Sequence, residues 1–194
     1  MSLNPHKIVR CHSGGAEGAD TYFEEIGSKY GIQTIAYSYK THYHNSPNKY
    51  EISEEEFEEG CLAVFKANET LKKYRLKPYL NLYSRNWFQV KNAEQIFAIS
   101  SFIQIENQQL VKGGTGVTVQ MAIDAKKEVF VFEQKRNAWF YWDYSKKLFE
   151  SMNENPKITS SDFAGIGARK INPNGINAIE NLMENSFKAF ENIV

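Results

Sequence analysis

Short apolar runs alternate with stripes of apolar residues at helical spacing along most of the chain. Four runs, at residues 7–12, 32–37, 95–99 and 128–132, have the length and composition of buried strands. Between the first two, Phe23, Ile26 and Tyr30 recur at helical spacing, and the stripe stops at Gly31. Strand, turn, helix and strand in this order predict βαβ units and hence an α/β fold with a parallel sheet.

The turn at the centre of the chain is rich in glycine. Val111-Lys112-Gly113-Gly114-Thr115-Gly116 separates the run at 95–99 from a predicted helix that carries Thr118, Gln120 and Met121. The first turn of a βαβ unit places backbone N–H groups and a helix N-terminus against an anion, usually a phosphate. We therefore interpret this turn as half of a nucleotide-phosphate site, although tight turns also need glycine where no ligand binds.

A second glycine turn follows the first strand, with the sequence Ser13-Gly14-Gly15-Ala16-Glu17-Gly18-Ala19-Asp20. Two turns of this type in one domain are stronger evidence for a phosphate site than one. Asp20 is equally suited to the first turn of the helix that follows, where the helix dipole favours an acid.

Two helices are predicted between these turns. Ser53-Glu54-Glu55-Glu56 forms a capping box for a helix that extends to about Leu71, with Phe57, Cys61, Val64, Phe65 and Asn68 on one side. A second helix begins at Pro78 and ends near Asn92, with Leu82, Trp87 and Val90 as core positions. Arg85 lies among these, so it requires a partner if it points inward, because an unpaired buried charge is costly. A phosphate, a carboxylate or a structural ion pair would serve, and an exposed Arg85 remains the alternative.

Three other segments each allow more than one interpretation. Residues 38–52 are predicted to be a polar loop, in which His42 and His44 are solvated or, less in keeping with the sequence around them, bind a metal. Lys40 and His42 are candidates for contact with a ligand phosphate. Residues 100–110 are predicted to extend a strand or form a hairpin. The aromatic stretch at 139–144 is predicted to be an edge strand or hairpin that covers the sheet; stacking of bases is the alternative use of such aromatics.

The C-terminal part of the chain contains a unit that lacks its last strand. Residues 161–169 predict a strand that meets a third glycine turn, and a helix with Ile176, Ile179, Leu182 and Phe187 follows Pro173. No strand follows this helix, which indicates that the unit at 161–192 would normally come first in such a fold.

Composition limits the function classes. The 194 residues are 42% hydrophobic, with 23 basic and 23 acidic residues, so one domain with a sizeable core is expected and no overall basic field attracts nucleic acid. Two cysteines form no disulfide framework, and Cys11 is expected to be a small buried hydrophobe. No apolar stretch has the length of a membrane span and no signal peptide is recognisable, so we expect a soluble, cytoplasmic protein without a membrane partner.

With these turns identified, the sequence resembles the SLOG superfamily, which joins the DNA-processing protein A, the "Lonely Guy" phosphoribohydrolases and uncharacterised phage proteins. Residues 13–20 are similar to its S-G-G-A-x-G-A-D turn, Arg85-Asn86 to its R-N helix, and Gly113–Gly116 to its G-G-x-G-T turn. Residues 163–169 are similar to the F-x-G-x-G-S-R segment that opens many phage-type members, but here they come last. We therefore hypothesise a single domain over 1–194 that is circularly permuted, with unit 161–192 in the family's first position.

The resemblance implies a Rossmann-like parallel sheet flanked by helices, with the glycine turns converging at one edge. It also implies a shared ligand pocket and, because family members often dimerise, a homo-oligomer. The ligand-binding residues predicted in this way are Ser13, Gly14, Gly15, Ala16, Gly18, Asp20, Arg85, Asn86, Gly113, Gly114, Thr115, Gly116, Thr118, Gln120, Gly165, Gly167 and Arg169.

The sequence departs from the phosphoribohydrolases at the residue that matters most for catalysis. Their motif P-G-G-x-G-T-x-x-E ends in a catalytic glutamate, where this chain has Gln120, and Lys112 replaces the proline. Glutamine neither accepts a proton nor stabilises an oxocarbenium-like centre as a carboxylate does, but it hydrogen-bonds a ribose or a base. The favoured prediction is therefore binding of a nucleotide or a nucleotide-derived molecule, as a sensor, sponge or carrier.

Two other functions are retained as alternatives. In an N-glycosidase or phosphoribohydrolase-like enzyme, Arg85 and Asp20 would be catalytic, or Glu17 would supply the carboxylate. A DNA-binding recombination mediator is disfavoured by the zero net charge and the lack of a basic stripe. No metal site is visible in the sequence, and Mg²⁺ is expected only with the phosphates of a bound nucleotide.

Overall fold

The computed structural model describes residues 8–44, 46–73, 75–105 and 108–187. Its strands are β1 (Arg10–Ser13), β2 (Gln33–Ser38), β3 (Lys49–Glu51), β4 (Gln95–Ser100), β5 (Phe102–Ile105), β6 (Gln108–Val111), β7 (Glu128–Glu133), β8 (Ala138–Asp143), β9 (Leu148–Ser151) and β10 (Asp162–Gly167). Its helices are α1 (Ala19–Ser28), α2 (Glu54–Leu71), α3 (Leu80–Lys91), α4 (Gly113–Asp124) and α5 (Pro173–Phe187), with a short 3₁₀ helix at Lys77–Tyr79.

Eight strands form one sheet in the order β3-β2-β1-β10-β4-β7-β8-β9. The first six are parallel to one another, and β8 and β9 continue the sheet as antiparallel strands. The predicted α/β class with a Rossmann-like parallel sheet is therefore confirmed. So is the prediction that the aromatic stretch at 139–144 extends the sheet in a hairpin.

The last strand of the chain lies in the middle of the sheet. β10 pairs with β1 on one side, with Cys11 opposite Phe163, and with β4 on the other, with Gly165 opposite Phe97. Because β4 and β10 are covered on both faces, they are apolar at nearly every position. The hypothesis of circular permutation concerns descent from other chains and stays a prediction. The assignment of residues 1–194 to a single domain also stays a prediction. Residues 188–192, at the end of unit 161–192, lie outside the described residues.

Helices cover the two faces of the sheet and bury two hydrophobic clusters. On one face, α3 and α4 pack over Ile96, Ala98, Val131 and Ile166, and α2 packs against α3 and α4. On the other, α1 and α5 pack over Phe97, Ile99 and Phe163. Cys11 is fully buried in the second cluster, as predicted. The carboxyl ends of the parallel strands are left between the two helical layers.

The capping box predicted at Ser53 is present. The backbone N–H of Glu56 donates to Ser53 Oγ at 3.2 Å, and the N–H of Ser53 donates to Glu56 Oε2 at 2.8 Å. Helix α2 ends at Leu71 as predicted, and Lys72 has a positive φ of 47°.

The side of α2 that faces inward was only partly predicted: Val64 is buried, but 51% of Phe65 is exposed. The buried stripe consists of Gly60, Val64 and Ala67, because small residues let α2 approach α3 closely.

Two segments between the main elements contain short strands. Residues 38–52 were predicted to be a loop, but Lys49–Glu51 form β3, which pairs parallel to β2 at the edge of the sheet. All three residues are exposed, so no apolar pattern marks this strand in the sequence. The strands β5 and β6, at 102–105 and 108–111, pair antiparallel in a separate two-stranded sheet that leads directly into α4. The predicted strand at 7–12 begins at Arg10, and Lys7 lies outside the described residues.

None of the helices within the described ranges combines the length and the apolar character needed to cross a bilayer.

Candidate functional site

A cavity of about 700 Å³ opens at the carboxyl ends of β1, β10 and β4. These strands lie where the order of the sheet reverses, which is where ligands bind in open α/β sheets. Its wall is formed by the turns after the three strands, by one face of α3 and by the first turn of α4. Of the predicted site residues, it includes Ala16, Asp20, Arg85, Asn86, Gly113, Gly114, Thr115, Thr118, Gly167 and Arg169.

The first turn of α4 presents backbone N–H groups to this cavity. Lys112 precedes the helix, and no side chain caps it. Gly113 has a φ of 74°, a conformation that disfavours residues with a side chain. The carbonyl oxygen of Gly113 accepts a hydrogen bond from Lys73 Nζ at 2.7 Å, which fixes the turn from the far end of α2. Uncapped N–H groups at the positive end of a helix dipole form an anion site.

Arg85 is the largest of the fully buried side chains, with 2% of its surface exposed. Its Nη1 atom donates to Gln89 Oε1 at 3.1 Å, one turn further along α3. No carboxylate of the described residues lies within 4 Å of it. Burial lowers the pKa of Arg85, and the carboxylate of Asp20 opposes this effect from a longer distance. The inward orientation considered for Arg85 is therefore the one the structure shows, without the direct ion pair that would neutralise it.

Asp20 connects two of the glycine turns. The backbone N–H of Gly14 donates to Asp20 Oδ2, and the N–H of Gly167 donates to Oδ1, both at 3.1 Å. Burial raises the pKa of Asp20 to about 6, while the positive charge of Arg85 and the two backbone N–H groups act to lower it. Asp20 thus links the turn after β1 to the carboxyl end of β10, at Gly167, which is 147 residues away in sequence.

Three polar atoms of α3 residues that line the cavity lack hydrogen-bond partners among the described residues. They are Arg85 Nε, Asn86 Oδ1 and Gln89 Nε2, and all three are buried. The other half of the Asn86 amide is paired, because Nδ2 donates to Thr118 Oγ1 at 2.8 Å. Buried polar atoms are nearly always paired, so these two donors and one acceptor have unused capacity for hydrogen bonds.

The charges around this cavity are unbalanced, although the chain as a whole has equal numbers of acids and bases. Five cationic side chains line it, from Lys73, Arg85, Lys112, Arg169 and Lys170. Asp20 is the one acid among the lining residues in the described part of the chain. A cleft with walls of one sign concentrates ions of the opposite sign, so the cavity favours an anion.

Several predicted ligand-binding glycines have packing roles instead. A Cβ on Gly14 would overlap the Arg85 guanidinium, and one on Gly165 would overlap the ring of Phe23. Gly18 lies against the backbone of Ala168 and Arg169, and Gly116 against the carbonyl of Val111. None of these four glycines is among the residues that line the cavity. They position the site, and their predicted contact with a ligand stays a prediction.

Ser13 and Gln120 are also set back from the cavity. Ser13 Oγ donates to Glu24 Oε1 at 2.6 Å. Gln120 is two turns into α4, where its amide donates to Asp124 Oδ1 at 2.9 Å. Gln120 is not among the residues that line this cavity, and its predicted contact with a ribose or a base stays a prediction.

Sequence analysis did not identify Lys73, Gln89 or Lys170 as site residues. Gln89 follows Arg85 at helical spacing, so an amide one turn from a buried arginine was an available signal. Lys73 arrives from the end of α2 and Lys170 from the loop after β10, and no local pattern marks either of them. Only the packing of these segments brings them to the cavity.

A second cavity of about 760 Å³ lies beside the first, on the other side of the turn after β1. Gly15, Ala16, His42, His44 and Arg169 line it, together with side chains of α1. Burial is the main cause that lowers the pKa of His42 to about 4 and also lowers that of His44, with Arg85 and Lys49 adding to the effect. Both imidazoles are therefore neutral at neutral pH. Within the described ranges, no three His, Cys, Asp or Glu side chains are grouped so as to hold a metal ion.

Comparison of the chain with protein-family models, with curated proteins and with solved structures finds no significant match. The resemblance to the SLOG superfamily therefore stays a prediction that rests on the quoted segments.

Proposed function

We propose that this protein binds a nucleotide, or a small molecule derived from one, and holds its phosphate in the cavity between α3 and α4. The observation that carries the proposal is the set of unpaired polar atoms on α3 together with the buried guanidinium of Arg85, which forms no ion pair within 4 Å among the described residues. Arg85 and Gln89 supply donors for phosphate oxygens, and Asn86 Oδ1 supplies an acceptor for a hydroxyl group. A ribose phosphate offers both kinds of partner within one ligand.

The arrangement supports binding more than hydrolysis. A phosphoribohydrolase needs a carboxylate that acts on the reacting centre. Position 120 is a glutamine bonded to Asp124, and the two oxygens of Asp20 accept backbone N–H groups. A sensor, sponge or carrier function requires none of these groups to react.

One observation favours the enzyme as a second candidate. The pKa of Asp20 is raised to about 6, and a carboxyl group tuned towards neutral pH suits general acid catalysis. An enzyme would then use Asp20 on the N-glycosidic bond and Arg85 on the phosphate. Release of free base from any bound nucleotide, abolished in Asp20→Asn, would establish this activity; a ligand recovered intact after long incubation would leave binding alone.

Two further expectations accompany the proposal. Mg²⁺ would enter only with the phosphates of the ligand, so ligand affinity should be measured with and without it. A homo-oligomer is expected from the resemblance, and analytical ultracentrifugation tests it.

The binding experiment is a thermal-shift screen of the protein against nucleoside mono-, di- and triphosphates, cyclic nucleotides, NAD and ADP-ribose. A ligand present at 100 times its dissociation constant stabilises the folded state by about 2.7 kcal/mol, which gives a clear rise in Tm. Arg85→Ala should remove the shift. If that variant does not fold, Lys112→Ala tests the same site from an exposed position and should weaken binding about tenfold, or ~1.4 kcal/mol.

Lys29→Ala is the matched control for Lys112→Ala. It removes the same charge from the exposed end of α1, away from the glycine turns, and should leave the shift unchanged. The absence of a shift with every compound would reject the proposal in favour of a macromolecular partner.

A further inference from the structure

The two cavities share part of their walls. Ala16 and Arg169 line both, and the volumes are similar, at about 700 and 760 Å³. The first is large enough for a nucleotide, since pockets for small molecules span roughly 300–1,000 Å³. The second therefore offers room for another unit of similar size, joined to the first beside Arg169.

The second cavity differs from the first in charge. Glu17, Glu24 and Glu25 line it, and Arg169 is its one cation in the described part of the chain. Glu24 accepts hydrogen bonds from Ser13 Oγ and Ser46 Oγ, both at 2.6 Å, so it is held at the wall as an acceptor. A phosphate would be repelled here, whereas a neutral or cationic group with hydroxyl donors would be accepted.

The aromatic side chains of this cavity provide a surface for a ring. The rings of His42 and His44, which line the cavity, have centroids 5.0 Å apart, and Tyr39, which does not line it, stacks on His42 at 4.8 Å. Tyr43 lines the cavity with 87% of its surface exposed. An exposed tyrosine beside a row of rings can cover a planar or sugar ring at small entropic cost.

His44 adds a directed donor at the boundary with the glycine turn. Its ring lies against Gly15, where a Cβ would overlap the imidazole. The backbone N–H of Ser46 donates to His44 Nδ1 at 3.2 Å, which leaves the proton of the neutral ring on Nε2. Nε2 is buried and has no partner among the described residues. An acceptor oxygen of a ligand would satisfy it after a small movement of the loop.

We propose that the ligand has two halves: a nucleoside diphosphate whose terminal phosphate is esterified to a second, uncharged or cationic sugar-containing unit. The diphosphate lies in the first cavity and reaches Arg169, and the second unit occupies the cavity lined by Tyr43, His44 and Glu24. This inference rests on the proposed function, because it requires the first cavity to bind phosphate. It excludes free nucleoside mono-, di- and triphosphates as the preferred ligands.

The test compares matched pairs of compounds by isothermal titration calorimetry. ADP is paired with ADP-ribose, GDP with GDP-mannose and UDP with UDP-glucose, so that each pair shares its base and its two phosphates. In the pair that contains the preferred base, the ester should bind at least about tenfold more tightly, a difference of ~1.4 kcal/mol. Equal affinities within every pair that binds would overturn the inference and leave the proposed function intact.

Variants assign the gain to the second cavity. Tyr43→Ala changes a side chain that is 87% exposed, so the fold tolerates it, and His44→Ala removes the donor. Both should lower the affinity for the ester to that for the diphosphate, while the affinity for the diphosphate stays the same. Tyr79→Ala, at the first cavity, should change both members of a pair by the same factor.

An affinity gain of the ester that persists in Tyr43→Ala and His44→Ala would place the second unit elsewhere and overturn the inference. If no compound of any pair binds, the proposed function fails, and this inference fails with it.

Discussion

The guanidinium of Arg85 lies directly over Gly14, in the space that a Cβ at position 14 would occupy. The contact joins the third helix to the turn after the first strand, and it explains why this position of the turn requires glycine. It also places a cation beside Asp20, which accepts the N–H of Gly14. Gly14 in the turn after β1 thus packs against the arginine, and direct contact of this glycine with a phosphate stays a prediction.

Gly14→Ala should therefore displace Arg85 and weaken both the fold and ligand binding. We expect a loss of about 1–3 kcal/mol in the free energy of unfolding, typical of overpacking, and a loss of nucleotide-induced thermal shift. Urea unfolding and the thermal-shift assay measure the two effects. Gly27→Ala is the control, because its Cβ would meet Ile32 and Met183 at ordinary contact distances and alanine favours a helix. Equal stability and equal thermal shift in the two variants would contradict the close contact between Arg85 and Gly14.

Asp20 should make part of the stability depend on pH with an unusual sign. Its pKa in the folded protein, about 6, lies above the ordinary value of 3.8, so the folded state binds this proton more tightly than the unfolded state. The contribution of Asp20 to the free energy of unfolding is least favourable above pH 6 and becomes more favourable as the pH falls towards 4. Between pH 7 and pH 5 this gain amounts to about 1 kcal/mol.

The measurement is urea unfolding at pH 7 and pH 5 for the native protein and for Asp20→Asn. His12, His42 and His44 have lowered pKa values and act in the opposite direction, but they do so in both proteins. The difference between the two proteins should therefore shift by about 1 kcal/mol in favour of the native protein at pH 5. A difference that does not change with pH would show that Asp20 titrates normally.

Gln120→Glu tests whether the residue at this position limits catalysis. A glutamate there would face Asp124, whose Oδ1 now accepts the Gln120 amide at 2.9 Å, so two carboxylates would lie side by side in a partly buried position. We expect a lower Tm at pH 8 than in the native protein, a smaller loss at pH 5, and no gain of nucleotide hydrolysis. Gln33→Glu, at an exposed strand position, is the control and should leave the Tm almost unchanged. Appearance of hydrolysis in Gln120→Glu would show that position 120 reaches the ligand.

Ser53→Ala should destabilise the protein without affecting ligand binding. It removes the acceptor for the N–H of Glu56 in the capping box, which costs about 1 kcal/mol. Ser28→Ala removes a hydroxyl that donates to the carbonyl of Glu25 at the exposed end of α1, so it should cost much less. Chemical denaturation ranks the two variants, and equal stabilities would refute the role of the cap.

The sequence by itself determined the local elements. The capping box at Ser53, the apolar run of β4 and the glycine-rich start of α4 each follow from the preferences of a few adjacent residues. The edge strand β3 was missed because none of its three residues is buried. A strand that contributes no side chain to a core leaves no periodic signal in the sequence.

Tertiary structure decided which of these elements meet. The insertion of β10 between β1 and β4 brings Gly167 to Asp20, and the packing of α2 brings Lys73 to the turn at Gly113. These contacts depend on strand pairing and helix packing over long sequence separations, which no local preference encodes. For the same reason the sequence located the glycine turns, but only the structure showed that Gly14 and Gly165 pack against other side chains and that Arg85, Asn86 and Gln89 line one cavity.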